Sequence, residues 1–388
     1  MKDDTMHSDI TQRPAPFIWS GKSLGQARSM PGSFYTSREV FEAEREHVFL
    51  RHWFFAGRAD ELRKPGDYRA IDTAGGPVLL TRDENGELHA FANTCRHRGA
   101  QLLEGCGAKR SIVCPYHAWS YRLDGSLLRA PGTQDVPGFD AASEGLIPVR
   151  MSDWKGNLFL NFDAGADDLD THLGTYPELF ASHRVEDMRC MFRVDLPAAC
   201  NWKMLLENAM ETYHTGLVHA RTVGAQTSLT FPGGPNWHAI QVQSDVSTAV
   251  LDKSAPPPFP QIDGLSDIAR KGTFFTLIEP LTQLVFAQDC MWWLAVLPLA
   301  ADRSVLSVGG CFPRAYTEMP DFDERARPYF ERWEAVARED VAILEKQQRG
   351  VGSVLYRPGV LSSRDDVVHA MNSWVAARLP AHLTGGSA

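Results

Sequence analysis

Apolar side chains recur with a helical period in three segments of the chain. In residues 34–55 and 322–348 they lie three or four positions apart, and Ser37 is a plausible N-cap for the first segment. A third segment, from Asn201 to about Ala220, has similar spacing. The pattern therefore predicts helices near the start, in the middle and towards the end of the chain.

Shorter runs of β-prone residues fill much of the remaining chain. Between residues 66 and 162 they alternate with Gly, Asn and Asp, and residues 84–87 and 123–126 are typical of hairpin turns. Further β-prone runs at 237–251 and 273–312 predict strands of one antiparallel sheet. The pattern thus predicts an all-β module followed by a module of helices and strands.

A short acidic segment of small residues, 163–173, separates the two modules. We expect an α+β protein with a polar, extended tail at 1–33 and an all-β domain with its preceding helix at 34–165. In the remaining domain, 166–388, helices are expected to flank an antiparallel sheet. The proline-rich stretch 252–272 is predicted to be a loop and is a candidate lid.

Composition and charge narrow the class of protein. The 388 residues are 44% hydrophobic and 22% charged, which is typical of a globular protein, and a net charge of −9 makes nucleic-acid binding a poor expectation. No apolar run reaches the roughly 18 residues of a membrane span, so no membrane association is expected. Seven cysteines is an odd number, which argues for a reducing compartment, and we expect a cytoplasmic protein.

Two cysteine–histidine pairs form the most specific motif. Cys95 and His97 lie in one predicted turn of the all-β module, and Cys114 and His117 lie in another. The order C-x-H followed by C-x2-H fits a Rieske [2Fe–2S] cluster, in which the cysteines hold one iron and the histidines hold the other. A structural zinc site with the same ligands is the alternative, although zinc pairs usually begin with two cysteines.

A second candidate metal site lies in the predicted helix that begins at Asn201. His214 and His219 are five residues apart and do not share one helical face, so binding one metal requires a break, for which Gly216 is a candidate. Two histidines and one carboxylate form the facial triad of non-haem Fe(II) oxygenases. The alternative is a pair of ordinary core histidines.

The carboxylate of such a triad is expected on the helix at 322–348. Asp340 lies on the apolar stripe of this helix, whereas Glu339 points off it. A buried carboxylate is costly unless it binds a metal or pairs with a cation. Asp340 is therefore the candidate third ligand, and an ion pair with Arg338 or Arg349 is the alternative.

Several segments resemble Rieske non-haem iron oxygenases, the terminal oxygenase (α) subunits of the ring-hydroxylating family. NTCRHRGAQL at 93–102 and CPYHAWSYRLDG at 114–125 resemble the two cluster-binding loops, with Ala118 where the family usually has glycine. Residues 201–219 resemble the iron-binding helix of the family. The pattern E-D-x4-E-x2-Q that begins at Glu339 is similar to the segment that carries the third ligand.

The resemblance implies a Rieske domain and a catalytic domain, with a [2Fe–2S] cluster, a mononuclear Fe(II) and O2 as cosubstrate. The implied ligands are Cys95, His97, Cys114 and His117 for the cluster, and His214, His219 and Asp340 for the iron. In the family, the cluster of one subunit serves the iron of its neighbour in a ring-shaped trimer. Glu211 matches a carboxylate that bridges the two sites, and glutamate there is similar to monooxygenases of quaternary ammonium compounds.

Under this interpretation, electrons must come from outside the chain. The sequence has neither a G-x-G-x-x-G dinucleotide turn nor a C-x4-C-x2-C ferredoxin motif, so we expect a separate NAD(P)H reductase, with or without a ferredoxin. The alternatives are a Rieske electron-transfer protein without the third iron, a colourless zinc scaffold, and a serine hydrolase. Only a G-x-S-x-G match at 21–25, without a preceding strand, suggests the last.

The substrate is expected to be a small organic molecule. Aromatic ring hydroxylation and oxidative N-demethylation of a methylated ammonium compound fit the same iron chemistry. Arg221 is a candidate for holding a substrate carboxylate, with surface solvation as the alternative. Six aromatic residues are candidates for a cage around an ammonium group or a flat ring, with core packing as the alternative: Trp237, Phe274, Phe275, Phe286, Trp292 and Trp293.

Overall fold

The computed structural model describes residues 26–251 and 256–384 of the chain. The G-x-S-x-G match at 21–25 and most of the predicted tail lie outside these residues. The predicted α+β architecture is confirmed, with small antiparallel sheets in the first half and one larger sheet flanked by helices in the second. No helix in the described part of the chain is long and apolar enough to cross a membrane.

Short antiparallel strands build the first module. They are β1 (Phe54–Arg58), β2 (Asp67–Ile71), β3 (Val78–Arg82), β4 (Leu88–Ala92), β5 (Cys106–Ala108), β6 (Ile112–Val113), β7 (Ser120–Tyr121), β8 (Leu127–Arg129), β9 (Arg150–Trp154) and β10 (Asn157–Asn161). Three sheets result, in the orders β1-β10-β9, β4-β3-β2-β5 and β6-β7-β8. Both predicted hairpins are confirmed, since residues 84–87 join β3 to β4 and residues 123–126 join β7 to β8.

A small hydrophobic core joins the second and third of these sheets. It contains Leu79, Phe91 and Tyr121, and the side chains of Cys95 and Cys114 are buried in it. Because protein cores are closely packed, the loops that carry the two cysteines begin from fixed positions.

One seven-stranded sheet forms the centre of the second module. Its strands are β11 (Met188–Ala198), β12 (Ser228–Gly234), β13 (Trp237–Gln243), β14 (Gly272–Ile278), β15 (Thr282–Phe286), β16 (Met291–Ala300) and β17 (Arg303–Pro313). They pair antiparallel in the order β11-β17-β16-β15-β14-β13-β12, so the predicted single sheet is confirmed. The prediction missed β11 and β12, and it extended β13 too far, to residue 251.

Helices pack against both faces of this sheet. The helices of the described residues are α1 (Ser33–Thr36), α2 (Arg38–Glu44), α3 (Leu169–Leu173), α4 (Tyr176–Leu179), α5 (Trp202–Ala209), α6 (Thr215–Val218), α7 (Arg314–Thr317), α8 (Phe322–Val351), α9 (Asp366–Ala376) and α10 (Ala381–Thr384). A π-helical turn (Arg45–Phe49) follows α2, so the helix predicted at 34–55 is divided and ends before β1. The helix predicted at 322–348 is confirmed as α8.

The N-terminal helices form specific polar contacts with the second module. The side chain of Ser37 caps α2, as predicted. Glu44 at the end of α2 is fully buried, where it accepts a hydrogen bond from Trp202 Nε1 over 2.8 Å and pairs with the ammonium group of Lys203. Tyr35 in α1 donates a hydrogen bond to Glu207 in α5, also over 2.8 Å. These contacts join the helices to the second module.

Neighbouring residues of β16 face opposite sides of the large sheet. Trp292 lies in the core beneath α5 and α8, whereas Trp293 lies in the core that the sheet shares with the first module. Gly310 and Gly309 pair with these two residues on β17. A side chain at Gly309 would overlap the Trp293 ring, and one at Gly310 would overlap the Trp333 ring, so both positions require glycine.

Candidate metal centres

Cys95 and Cys114 each begin a tight backbone turn. Gly99 N donates a hydrogen bond to Cys95 O over 2.9 Å, and Ala118 N donates one to Cys114 O over 3.1 Å. The residue that closes each turn has a positive φ, 74° at Gly99 and 58° at Ala118. The two loops therefore share one backbone design, and Ala118 adopts a conformation that favours glycine.

The two cysteines and two histidines are arranged as an inner and an outer pair. Cys95 and Cys114 are buried, whereas His97 is exposed and His117 is half-buried. The two imidazole rings lie 4.7 Å apart between centroids. This separation of thiols from imidazoles suits a cluster with two unlike irons, one of which takes sulfur ligands and the other nitrogen ligands.

Free ligand atoms at this site also fit a metal cluster. His117 Nδ1 is buried and has no hydrogen-bond partner among the residues that the structure describes. Desolvation, together with His97 and Arg98, lowers the pKa of His117, which favours the neutral ring that a metal requires. Tyr121 supports the inner pair, since its hydroxyl lies 3.4 Å from Cys95 Sγ and accepts a hydrogen bond from Arg96 N over 3.0 Å.

The second candidate site is built around a break between α5 and α6. The helix predicted from Asn201 to about Ala220 is interrupted at residues 210–214, whereas Gly216, the predicted break, lies inside α6. The Glu211 carboxylate accepts hydrogen bonds from the backbone N–H groups of Tyr213 and His214, and this bonding replaces the helical ladder.

The break brings the two histidines together. His214 immediately precedes α6 and His219 immediately follows it, so one short turn of helix carries an imidazole at each end. The two ring centroids are 5.1 Å apart. Two histidines that would diverge on a continuous helix therefore face one centre.

Asp340 on α8 completes this group. One ligand atom from each of His214, His219 and Asp340 lies within 4.8 Å of the others. Asp340 Oδ1 is 3.0 Å from His219 Nε2 and 3.5 Å from His214 Nε2, yet neither contact has the alignment of a hydrogen bond. Donor atoms that point at a common centre rather than at each other fit a single bound metal ion, and two histidines with one carboxylate fit iron.

Two further carboxylates hold the histidines from behind. Glu211 pairs with Nδ1 of His214, and Glu339 pairs with Nδ1 of His219 over 2.7 Å. Thr222 Oγ1 donates a hydrogen bond to the same Glu339 oxygen over 2.8 Å. A carboxylate on Nδ1 fixes the ring tautomer and turns Nε2 towards the metal. The apolar stripe of α8 does not point to Glu339, because this residue lies beside the stripe.

Nearby carboxylates shift the pKa of His219. Burial lowers the pKa of this imidazole, but the carboxylates of Asp340 and Glu339 more than offset burial and raise the pKa above its usual value. A site that attracts a proton in this way also attracts a cation, because both compete for the same nitrogen.

The three candidate ligands border a cavity of about 60 Å³ between the large sheet and α8. This volume holds a few water molecules or a small organic group. Asn208 and Arg332 contribute polar groups to its wall. Its apolar lining includes Ile240, Val242, Phe275, Trp292, Leu294 and Val308. A larger cavity of about 400 Å³ lies between the two modules and contains none of the candidate ligands.

The candidate substrate residues are divided by the sheet. Phe275 and Trp292 line the cavity beside the triad. Arg221 is exposed and is absent from the described lining. Packing accounts for the remaining aromatic candidates, which lie in the core on the opposite face of the sheet: Trp237, Phe274, Phe286 and Trp293.

The described part of the 252–272 loop is fastened to the helices. Phe259 is buried and stacks on Tyr316 with ring centroids 5.2 Å apart. Arg325 in α8 donates a hydrogen bond to Pro258 O over 2.8 Å. These contacts anchor residues 258–260 to α7 and α8. This part of the loop is therefore fixed and does not resemble a freely moving lid.

Two family models match the chain. A model described as the ring hydroxylating alpha subunit (catalytic domain) matches residues 185–381, and a model described as the Rieske [2Fe–2S] domain matches residues 52–140. The candidate iron ligands lie in the first range and the candidate cluster ligands lie in the second. These descriptions agree with the donor sets and support a Rieske cluster and a mononuclear iron as the cofactors.

Curated relatives include oxygenase subunits of monooxygenases. The chain is 37% identical over 196 residues to the carnitine monooxygenase oxygenase subunit of Acinetobacter baumannii, a match that covers 50% of this chain and 53% of that protein. The chain thus spans about half the length of this relative. It is 27% identical over 368 residues to the glycine betaine monooxygenase oxygenase subunit of Chromohalobacter salexigens, covering 86% of this chain and 82% of that protein.

The fold also matches a solved structure over most of its length. The quaternary ammonium Rieske monooxygenase CntA is similar with a TM-score of 0.77 and 26% sequence identity, covering 91% of this chain and 96% of that chain. The paired cysteine–histidine loops, the triad and these matches lead to one assignment. The chain belongs to the family of ring-hydroxylating α subunits, with an N-terminal Rieske [2Fe–2S] domain and a C-terminal catalytic domain.

Proposed function

We propose that the chain is the terminal oxygenase component of a Rieske oxygenase system. It would take electrons from a separate NAD(P)H reductase, directly or through a ferredoxin, and use O2 to hydroxylate a small organic substrate. The observation that carries this proposal is the presence of two distinct donor sets in one chain. One donor set suits an electron-transfer cluster, and the other adjoins a cavity.

Cys95, His97, Cys114 and His117 would hold the cluster, which supplies one-electron transfer when bound. The buried thiols anchor it in the core of the first module, and the histidine side lies at the protein surface. This placement supports electron exchange with another protein, since a redox group near the surface can approach its partner.

His214, His219 and Asp340 would hold the iron, which supplies O2 activation when bound. Three protein ligands leave room for further ligands on the side of the cavity. Glu211 and Glu339 keep both imidazoles oriented with Nε2 towards the metal. The apolar lining of the cavity limits the access of water to the reacting atoms.

The substrate we propose is a small methylated ammonium compound or an aromatic ring. Relatives named for carnitine and glycine betaine favour the former. The small size of the cavity beside the triad disfavours a large substrate in either case. The pair of aromatic residues in its lining, Phe275 and Trp292, suits either chemistry.

We further propose a head-to-tail trimer in which Glu211 links His214 to His117 of the neighbouring subunit. The structure of a similar quaternary ammonium Rieske monooxygenase is described as giving insights into inter-subunit electron transfer, and Glu211 already pairs with His214 here. Exposed apolar side chains occur beside both sites along the chain, with Tyr116 next to His117 and Leu217 between the iron histidines. Such residues suit burial in an interface between subunits.

Oxygen uptake coupled to product formation tests the proposed function. The metal-loaded protein with a reductase would be given L-carnitine, glycine betaine and benzoate in turn, with product detection to exclude uncoupled turnover. We expect the native protein to oxygenate at least one of these compounds. The Asp340→Ala variant, assayed in the same way, should oxygenate none of them. A cluster that is reduced normally while no compound is oxygenated would indicate an electron-transfer protein instead.

A further inference from the structure

Arg332 lies in the wall of the cavity that adjoins the candidate iron ligands. It belongs to α8, two turns before Asp340, a separation of roughly 12 Å along the helix axis. Only 4% of the residue is exposed. A guanidinium group in a buried cavity wall is costly to desolvate, so its retention calls for a physical reason.

The contacts of Arg332 satisfy only part of its side chain. Its Nε donates a hydrogen bond to Thr248 O over 3.2 Å, and its guanidinium carbon lies 4.9 Å from the centre of the Trp292 ring. No carboxylate forms an ion pair with it among residues 26–251 and 256–384. Burial lowers the pKa of Arg332 to about 10, against the opposing attraction of Asp340, and the group remains a cation at neutral pH.

The opposite face of the sheet provides a direct comparison. Arg193 lies over Trp293, the next residue of β16, at 5.3 Å from the ring centre. There the guanidinium is partly exposed and also approaches two carboxylates, Asp195 at 3.3 Å and Glu61 at 3.9 Å. An arginine thus stacks on a tryptophan on both faces of the sheet. Arg193 has carboxylates of the protein near its guanidinium, whereas Arg332 has a cavity there.

We propose that Arg332 binds a carboxylate group of the substrate. A guanidinium presents parallel N–H donors that match a carboxylate, and such pairs are strongest where water is excluded. This inference rests on the proposed function, and it narrows the substrate class to small organic acids, including zwitterions that carry a carboxylate. Arg332 takes the role that the sequence analysis suggested for Arg221, which is exposed.

The position of Arg332 also orients the substrate. A carboxylate held at Arg332 directs the remainder of the molecule along α8 towards Asp340 and the two histidines. One face of Trp292 is already occupied by the guanidinium, so a methylated ammonium group would find its aromatic contacts elsewhere in the cavity. The acid group is therefore expected beside Arg332, with the rest of the molecule closer to the candidate iron ligands.

Equilibrium binding without turnover tests this proposal. The metal-loaded enzyme would be titrated calorimetrically under anaerobic conditions, without reductase, with L-carnitine, with benzoate and with the methyl ester of each. We expect at least one acid to bind about tenfold or more tightly than its ester, because the ester removes the charge that Arg332 pairs with.

Substitutions at Arg332 test whether this residue causes the tighter binding of the acid than of its ester. Arg332→Gln should remove the preference for the acid while ester binding changes little, and Arg332→Lys should keep part of it. Arg193→Gln is the matched control and should leave the preference intact. Acid binding should also raise the melting temperature of the native protein but not of Arg332→Gln. The iron content and cluster spectrum of each variant verify that it is folded and loaded.

Two binding results would overturn the proposal. One is that neither acid binds the native protein more tightly than its ester, and the other is that Arg332→Gln keeps the native preference. The proposed function fails separately, if acids bind through Arg332 but none is oxygenated when the reductase and O2 are supplied. Oxygenation of an acid by Arg332→Gln with unchanged KM would leave the function intact and contradict this inference alone.

Discussion

The two candidate metal sites are held in shape by different means. At the cluster site, backbone hydrogen bonds close two equivalent turns, at Gly99 and Ala118, and place the ligands within one short stretch of chain. At the iron site, ligands come from two distant segments, and 120 residues separate His219 from Glu339, which holds it. The first site is positioned by backbone turns and the second by side-chain hydrogen bonds.

This difference matches the role proposed for each site. A cluster that exchanges electrons with other proteins needs rigid ligands near the surface, and His97 is exposed. A site that activates O2 needs enclosure and open coordination positions, and the triad borders a cavity. Because Glu211 and Glu339 orient the iron histidines, changes outside the ligand set should weaken the iron site more readily than the cluster site.

Loss of Asp340 should separate the two sites most completely. We expect Asp340→Ala to lose the mononuclear iron and all detectable oxygenation, because two histidines alone leave the site without its charged ligand. The visible spectrum of the cluster should be unchanged. Glu334→Ala is the control on the same helix, since Glu334 only pairs with exposed Arg338. Oxygenation that survives in Asp340→Ala would refute the triad.

Glu211→Gln should affect the link between the sites rather than either site. An amide oxygen can still accept the hydrogen bond from His214 Nδ1, so both metals should remain bound. We expect electron transfer from the reduced cluster to be slower by roughly 100-fold in single-turnover measurements, since the charge of the proposed bridge is lost. Unchanged single-turnover rates would mean that Glu211 only orients His214.

Glu339→Ala should weaken iron binding without removing a ligand. Without the carboxylate on Nδ1, His219 loses the partner that fixes its tautomer, and the iron affinity should fall about tenfold. Competition with a chelator measures this affinity. Glu339→Gln should fall by less, because its amide oxygen can accept the same hydrogen bond. Equal affinities for native and Glu339→Ala protein would contradict the positioning role.

Ala118→Gly should produce the smallest effect, and only at the cluster site. The positive φ of 58° strains alanine, so glycine should stabilise the loop by about 0.5–1 kcal/mol. The rate at which cluster absorbance disappears on heating reports this change. Gly99→Ala is the reciprocal variant at the equivalent position and should accelerate the loss. Faster loss in Ala118→Gly would show that the second loop does not depend on this turn.

The same difference explains how far the sequence could predict each site. The cluster ligands are close in sequence, so spacing alone indicated Cys95 to His117. The iron ligands required the resemblance to a known family, because nothing local shows that a break occurs at residues 210–214. Glu339 could not be found from helical periodicity, because its partner His219 is remote in sequence. Arg332 could not be found either, because periodicity predicts that a charged residue is exposed, whereas this one is buried.

The presence of the large sheet was easier to predict than its full set of strands or the face that each side chain occupies. The alternation of β-prone runs located most strands of the large sheet, but β11 was missed, and its burial pattern is irregular. The aromatic residues of β14 to β16 could not be divided between the cavity and the core without knowing which face of the sheet each one occupies. That division depends on register, which is fixed by strand pairing rather than by composition.

Iron and acid-labile sulfide content, measured per chain, tests the central claim most directly. The account predicts about three iron atoms and two sulfides for the reconstituted protein. It predicts about two of each for His214→Ala, with an unchanged cluster spectrum. Two results would contradict an iron site at His214, His219 and Asp340. One is a native protein with only two iron atoms per chain, and the other is a His214→Ala variant that still holds three.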